Sequence, residues 1–172
     1  MRTLLVVIVL LLLAGCSSAP KTAPQAFDIQ GTKVEFSPPP PDWTQRAADP
    51  KDKDKPKKIV VFEAPNNAGY IGVGAVNGVK ALDQKTLNDL GVDIVSAKGR
   101  IIKDKYIDVA GEKENAYRME FEINSGAAKG VQVHFPRDGR LYSIVMTVKA
   151  DKFNESEKVF DNVVSSFTIP GK

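Results

Sequence analysis

Short stretches in which apolar and polar side chains alternate constrain the fold of this 172-residue chain more than any other feature. In residues 117–123, Tyr, Met, Phe and Ile occupy every second position, with Arg and Glu between them. Such alternation predicts a strand with one apolar face and one polar face. Residues 131–135 repeat the pattern, and residues 141–148 are apolar at most positions, which is typical of a central strand covered on both faces. These segments predict a sheet.

Turn residues between the predicted strands indicate antiparallel pairing. Asp138-Gly139 separates the last two strands and is a strong hairpin signal. Residues 59–62 and 70–76 flank a Pro-Asn-Asn turn and predict a second hairpin. A short strand at residues 34–36 must end at the prolines that follow, because proline lacks the N–H donor of a strand ladder.

Two segments have the spacing of an amphipathic helix. The second covers residues 153–167 and is predicted to dock on the sheet. The order strands, helix, strands, helix predicts an α+β fold, with a mainly antiparallel sheet of about six strands and two principal helices. Asp83 precedes the first helix, as an N-cap residue would. The apolar positions of that helix are Leu87, Leu90, Ile94 and Val95.

The N-terminus has the features of an export signal. Arg2 supplies a positive charge, and residues 4–13 form an unbroken apolar run. Ten apolar residues are too few to span a bilayer, which takes about 20. The motif Leu-Ala-Gly-Cys at residues 13–16 resembles the lipobox of bacterial lipoproteins, whose cysteine receives a diacylglyceryl group after which the signal is cleaved. The resemblance implies that Cys16 becomes the lipidated first residue of the mature chain.

Conventional secretory cleavage near Ala14 or Ala19 is the alternative, and it would leave Cys16 an ordinary residue. Lipidation instead implies a stable anchor in the bilayer, because several acyl chains hold a protein far more firmly than one. Ser17 follows the cysteine, where the aspartate that retains lipoproteins in the inner membrane is absent. We therefore expect a location in the bacterial cell envelope, on the outer membrane facing the periplasm.

These features divide the chain into three parts. Residues 1–15 are the predicted signal peptide, which is cleaved, and residues 16–26 are the lipidated cysteine and a flexible tether rich in small and polar residues and proline. Residues 27–170 are predicted to form a single globular domain. The mature chain of 157 residues is long enough to bury a substantial core without disulfides or metal.

Composition excludes several classes of function. The mature chain has 23 basic and 21 acidic residues, a balance that gives no basic field for nucleic acid. One histidine, His134, and one cysteine cannot form a zinc site. We expect no cofactor other than the covalent lipid at Cys16.

The C-terminal third contains the segments Gly139-Arg140-Leu141-Tyr142-Ser143-Ile144, Thr147-Val148-Lys149-Ala150 and Val164-Ser165-Ser166-Phe167. In these segments it resembles the PsbP-like family, which includes extrinsic photosystem proteins, Mog-type proteins and DcrB-like lipoproteins. The resemblance implies an α/β/α sandwich around an antiparallel sheet, used for docking to other proteins or as an accessory module. It implies no catalytic residues.

No catalytic constellation is apparent in the sequence. His134 is the only histidine that could act as a base, and it is expected on the surface or partly packed. The chain lacks a Gly-x-Ser-x-Gly nucleophile motif. Glu120 and Glu122 lie two apart on one strand, which is typical of a solvated stripe rather than a glycosidase pair. We therefore predict that the protein is not an enzyme.

Two functions remain open. The first is a lipid-anchored protein-interaction or assembly module with an envelope protein as partner. The second is a binder of a small apolar or lipidic ligand in a pocket between helix and sheet. A lone tryptophan beside a proline run more often plugs a core than forms a binding platform. The residues proposed for the ligand or partner surface are Trp43, Tyr70, Phe121 and Tyr142.

Overall fold

The computed structural model describes residues 22–47 and 59–170. Within them the chain forms nine strands and two helices in the predicted order of strands, helix, strands, helix. No helix in this part of the chain is long and apolar enough to cross a membrane. The helices are α1 (Gln84–Ser96) and α2 (Phe153–Ser166), and the strands are β1 (Gln25–Ile29), β2 (Thr32–Phe36), β3 (Thr44–Gln45), β4 (Ile59–Glu63), β5 (Gly69–Asn77), β6 (Arg100–Val109), β7 (Glu112–Ile123), β8 (Ala128–Arg137) and β9 (Arg140–Lys149).

Seven strands form one antiparallel sheet in the order β3-β4-β5-β9-β8-β7-β6, and β1 and β2 form a separate hairpin. The predicted α+β class is confirmed. The sheet has more strands than expected because β3 contains only two residues and shows no alternation in the sequence. β1 begins at Gln25, so the last two residues assigned to the tether belong to a strand. Cys16 and the lysine-rich residues 51–58 lie outside the described residues.

The turn between β8 and β9 shows how local sequence sets the register. Asp138 and Gly139 have φ angles of 53° and 72°, the positive values that a two-residue hairpin turn requires. This turn pairs Arg137 with Arg140 and Phe135 with Tyr142. Alternate residues of the two strands therefore point to the same face of the sheet.

One face of the sheet, here called the α2 face, carries the main core. α2 and the β1–β2 hairpin both pack on it, and Thr168 extends this layer by bridging to Glu35. Phe36 stacks on Phe167 with ring centroids 6.3 Å apart. The central strands of this face are covered, since their large apolar side chains are buried: Val60, Phe62, Ile71, Val73, Val131, Val133, Phe135, Tyr142, Ile144 and Met146.

The opposite face, here called the α1 face, is covered by α1 alone among the described elements. Leu90 of α1 lines a groove with Leu141 of β9, while Gly91 lies against Ile101 of β6. α1 therefore packs mainly against β6, on this half of the face. Met119 and Phe121 of β7 are 1% and 4% exposed on this half of the face.

Candidate functional site

The half of the α1 face that α1 does not reach forms an open apolar stripe. β4 and β5 place their side chains there in register, with Ile59 opposite Gly74 and Val61 opposite Gly72. Ile59 and Val76 are 50% and 52% exposed. An exposed apolar patch of this kind on a folded domain is typical of a binding surface. We define the open stripe as Ile59, Val61, Tyr70, Val76 and Val145.

Ile59 shapes this surface by lying over a glycine of the neighbouring strand. A Cβ atom at Gly72 would lie 2.9 Å from Ile59 Cδ1, so the missing side chain leaves room for the isoleucine. The ridge that results runs along β4, and α1 stands on the other side of the stripe. Between them lie the half-buried Ser143 and Val145 of β9.

The open stripe is uncharged in the middle. Among its described neighbours on the same face, Glu63 and Lys149 lie where the strands end, and Arg46 lies opposite Val61, bound to Glu63 at 2.7 Å. Covering an uncharged surface has a small free-energy cost of desolvation, because few polar groups lose water on contact.

The four residues proposed for a ligand or partner surface lie at separate places. Tyr142 is buried on the α2 face, stacked on Phe135 at 5.4 Å. Phe121 is buried on the α1 face, where its ring occupies the space over Gly130. Trp43 is buried at one end of the core, as a plug would be, and Tyr70 alone lies on the open stripe. The four do not line one pocket.

His134 is buried rather than placed at the surface, which corrects the expectation from its polar strand position. Its ring lies on the α1 face between two polar neighbours. Nδ1 is 2.8 Å from Ser143 Oγ, and Nε2 is 2.8 Å from Gln132 Oε1. Desolvation lowers the pKa of His134 to about 4. The imidazole is therefore neutral at physiological pH, with Nε2–H donating to the amide oxygen and Nδ1 accepting from the hydroxyl.

This contact between serine and histidine lacks what a hydrolase needs. A base with a pKa near 4 draws a hydroxyl proton weakly at neutral pH. The other ring nitrogen faces the Gln132 amide, which cannot stabilise an imidazolium as a carboxylate does. No group of three or more His, Cys, Asp or Glu suited to a metal occurs in the part of the chain that the structure describes.

Arg118 is a buried charge that the sequence pattern placed on a polar face. Its guanidinium, with a side chain 10% exposed, donates to Asp161 at 2.7 Å and to Glu157 at 2.6 Å on α2. It also lies 5.6 Å from the centre of the Phe160 ring. Burial lowers the pKa of Arg118, and the carboxylates beside it more than offset this effect. The cluster fixes α2 on β7 and is structural.

A second exposed apolar cluster lies at the free edge of β6. It is defined by Val92, Val95, Ile101, Ile102 and Tyr106. Lys103 and Lys105 of the same strand point to the α2 face, and the β6–β7 register shifts at two places. Charged side chains and bulges are features by which natural sheets block pairing at an edge. The edge of β6 is therefore protected against strand addition, while the apolar side chains of the cluster remain exposed.

Two grooves accompany these surfaces, and charged side chains lie on the walls of both. A cleft of about 790 Å³ lies beside Trp43, between the Pro65 turn and the start of α2, with Lys149, Asp151 and Lys152 on its walls. A groove of about 540 Å³ lies between α1 and the loop that precedes it. The charged side chains on both walls distinguish these grooves from the predominantly apolar pockets that apolar ligands occupy.

No protein-family model matches the sequence, and no curated protein matches it. Among solved structures, the chain is similar to cyanobacterial PsbP (CyanoP) from Synechocystis sp. PCC 6803, with a TM-score of 0.62 and 17% sequence identity, over 91% of this chain and 98% of that one. It is also similar to LpqN of Mycobacterium tuberculosis, described as involved in cell envelope biogenesis, with a TM-score of 0.49 and 13% identity, over 88% of this chain and 86% of that one. The similarity to cyanobacterial PsbP shows that this chain has the PsbP-like fold.

Proposed function

We propose that this protein is a bacterial lipoprotein that acts as a non-catalytic module by binding another protein of the cell envelope. The observation that carries the proposal is the open stripe, an uncharged apolar surface on a domain whose core is otherwise filled. Ile59 and Val76 are half exposed there, while the aromatic side chains of the α2 face are buried. Surfaces of this kind are favourable to cover and costly to leave in water.

The anchor in this proposal is a diacylglyceryl group on Cys16. Support comes from the lipobox motif and from the small polar residues between Cys16 and the domain. Two or three acyl chains give stable attachment, at about 0.8 kcal/mol for each buried CH₂. Ser17 favours the outer membrane, with the domain facing the periplasm.

Binding of a small apolar or lipidic ligand is less well supported. Phe121 and Tyr142, which would line an internal pocket, are packed against other side chains. The cleft beside Trp43 is bordered mainly by charged and polar groups. Native mass spectrometry of the full chain tests this alternative, and a stoichiometric non-covalent lipid would contradict the docking proposal.

The absence of catalysis in this proposal rests on the environment of His134. An activity-based fluorophosphonate probe tests it, because such probes label activated serines. We expect Ser143 to stay unlabelled, since its neighbour His134 is a weak base. Labelling of Ser143 that is lost in His134→Ala would show a hydrolase instead.

The anchoring part is tested by Cys16→Ser in the full chain. We expect metabolic labelling with an alkynyl fatty acid to mark the wild type alone, and the variant to leave the membrane fraction. A variant that stays on the membrane would contradict lipid anchoring.

The docking part is tested with two pairs of substitutions that add equal charge. Ile59→Lys with Val76→Lys places lysines on the open stripe, and Val92→Lys with Val95→Lys places them on the β6-edge cluster. All four positions are at least half exposed, so both proteins are expected to fold. We expect only the first pair to lose the stoichiometric partner recovered after crosslinking in the native envelope. The opposite result would place the interface at β6.

A further inference from the structure

We infer that the cleft beside Trp43 binds a short peptide whose free ammonium and free carboxylate groups are both held by the protein. This site is separate from the open stripe, since none of the stripe residues lines the cleft. The cleft has a volume of about 790 Å³, within the range of about 300–1,000 Å³ that small-molecule sites occupy. It therefore has room for a ligand that the docking proposal does not require.

The floor of the cleft is mostly apolar and well buried. Trp43 and Ala64 are 9% and 6% exposed, and Val159 of α2 is 8% exposed. Ser156, one helical turn before Val159, is 7% exposed and supplies the one hydroxyl group among the described residues that line the cleft. A ligand that fills this space therefore meets an apolar surface with a single hydroxyl in it.

The hydroxyl of Ser156 has no hydrogen-bond partner among the described residues. Ser166, at the other end of α2, instead donates to the carbonyl of Asn162 one turn earlier, at 2.6 Å. Each fully enclosed side-chain nitrogen or oxygen atom in the described part of the chain has a partner, so the unbonded Ser156 Oγ must keep an opening, and the space that Ser156 lines is the cleft. Such a hydroxyl is available to donate to a ligand or to accept from it.

The rim of the cleft carries charges of both signs in equal number. Three lysines and three carboxylates line it, and among the described residues Lys152 and Glu155 pair with each other at 4.0 Å. The other charged side chains are exposed and form no ion pair within the described ranges: Lys149, Lys158, Asp42 and Asp151. Two cations and two anions without partners at one cleft suit a ligand that carries both charges.

The balance of charge disfavours a ligand with charge of one sign. An anion attracted by Lys149 and Lys158 would also be repelled by Asp42 and Asp151, and a cation would meet the converse. In a zwitterion the two attractions add, because each charged end can lie near the side chains of opposite charge.

A peptide matches the remaining features of the cleft. Its backbone carries N–H and C=O groups between the charged ends, and these can bond to the Ser156 hydroxyl. Small apolar side chains would cover the floor formed by Trp43 and Val159. A space of about 790 Å³ is about 9 Å across if it is equally wide in all directions, and an extended tripeptide is about 10 Å long. We therefore expect peptides of two or three residues to bind most tightly.

Tryptophan fluorescence tests the inference in the full-length protein, because the single tryptophan of the chain lines the cleft. The probes are tri-alanine with free ends, its N-acetylated form and its C-amidated form. We expect a saturable change in fluorescence with the free tripeptide. Each blocked form should bind about fivefold more weakly, which is the effect expected from the loss of one partly exposed ion pair.

Substitutions in the cleft show where the tripeptide binds. Ser156→Ala should weaken binding about fivefold, and the helix should persist because alanine is the better helix former. Ser165→Ala, on the exposed side of the same helix, is the matched control and should leave binding unchanged. Lys149→Gln with Lys158→Gln should weaken binding of the free tripeptide but not of the amidated form, because these exposed lysines are expected to hold the carboxylate.

Each outcome decides the inference. Acetylated tri-alanine that binds as tightly as the free form shows a simple anion site, and amidated tri-alanine that does so shows a simple cation site; either result overturns the inference. Absence of a saturable change overturns it as well. Binding that is unchanged in Ser156→Ala and in the double lysine variant places the peptide elsewhere, with the same consequence. None of these results bears on docking at the open stripe, because the stripe and the cleft share no residue.

Discussion

The two helices have nearly equal lengths but contribute very differently to the molecule. α2 has 14 residues and buries six of them, including Phe160 and Val163 with no exposed area. α1 has 13 residues, and among its described side chains Ile94 is the one that is buried, while Val92 and Val95 are more than half exposed. α2 also holds Arg118 through two carboxylates. The comparison teaches that one face of this sheet carries the main core, whereas the helix on the other face buries little and leaves apolar side chains exposed.

The largest expected difference in stability is between variants that remove a buried side chain from each helix. Phe160→Ala removes a ring that is completely buried under α2 and should lower the free energy of unfolding by about 4 kcal/mol. Ile94→Ala, at the matching position of α1, should cost about 2 kcal/mol, because the surroundings of α1 can relax more freely. Urea titrations of both variants, analysed with the same m-value, give the two losses in unfolding free energy. Equal losses would contradict the division of roles between the faces.

Acid should lower the free energy of unfolding through His134, which lies on the α1 face. This group has a pKa of 6.5 in a model peptide and about 4 in the folded chain, because burial disfavours the charged ring. Between these values the unfolded state binds more protons, so stability is complete above pH 6.5 and falls as the pH decreases towards 4. The slope is at most about 1.4 kcal/mol per pH unit, and the total loss is about 3 kcal/mol.

Urea titrations at several pH values measure this loss. His134→Gln keeps a side chain of similar size without a titrating ring, so it serves as the control. The unfolding free energy of the wild type, measured relative to that of His134→Gln, should decrease as the pH falls from 6.5 to 4. A difference that stays constant over this range would show that the histidine does not carry the effect.

Two glycines on the α1 face provide a smaller test of how closely side chains pack on each half. A Cβ atom at Gly130 would overlap Phe121 Cζ and lie 2.6 Å from the carbonyl oxygen of Met146. At Gly72, in the open half, it would meet only the flexible tip of Ile59. Gly130→Ala should therefore cost about 2 kcal/mol, and Gly72→Ala less than about 0.5 kcal/mol. Thermal unfolding of the pair ranks them, and the reverse order would contradict the close packing of Phe121 over Gly130.

Local sequence was sufficient to predict most elements of the fold. The alternation in β7 and β8, the Asp138-Gly139 turn and the apolar spacing of both helices all correspond to observed structure. These features succeed because a period of two or 3.6 residues follows from backbone geometry alone. β3 was missed because two residues contain no period.

The same reasoning could not identify which face of a strand would be covered. Alternation predicts that Phe121 and Arg118 point in opposite directions, yet both are buried, one on each face. Arg118 is buried because α2 brings Glu157 and Asp161 to it, from about 40 residues further along the chain. The sequence-based proposal puts Tyr142 and Phe121 on one surface, although the β8–β9 and β7–β8 registers place them on opposite faces. Contacts between distant elements decide these matters, and they have no local signal.

The smallest expected effect concerns the start of α1. Asp83 caps the helix by accepting the N–H of Thr86 at 2.8 Å, and this backbone hydrogen bond, with that of the Thr86 hydroxyl, lowers the pKa of Asp83. Because α1 buries so little, Asp83→Ala should have a small effect: the free energy of unfolding should fall by about 1 kcal/mol, and amide hydrogen exchange in α1 should speed up about fivefold. Asp83→Asn is the matched control, since it keeps an oxygen that can accept the same bond. If exchange at the start of α1 were the same in Asp83→Ala and Asp83→Asn, the carboxylate would not hold this end of the helix, and the contrast between a fixed helix and a lightly held one would lose its support.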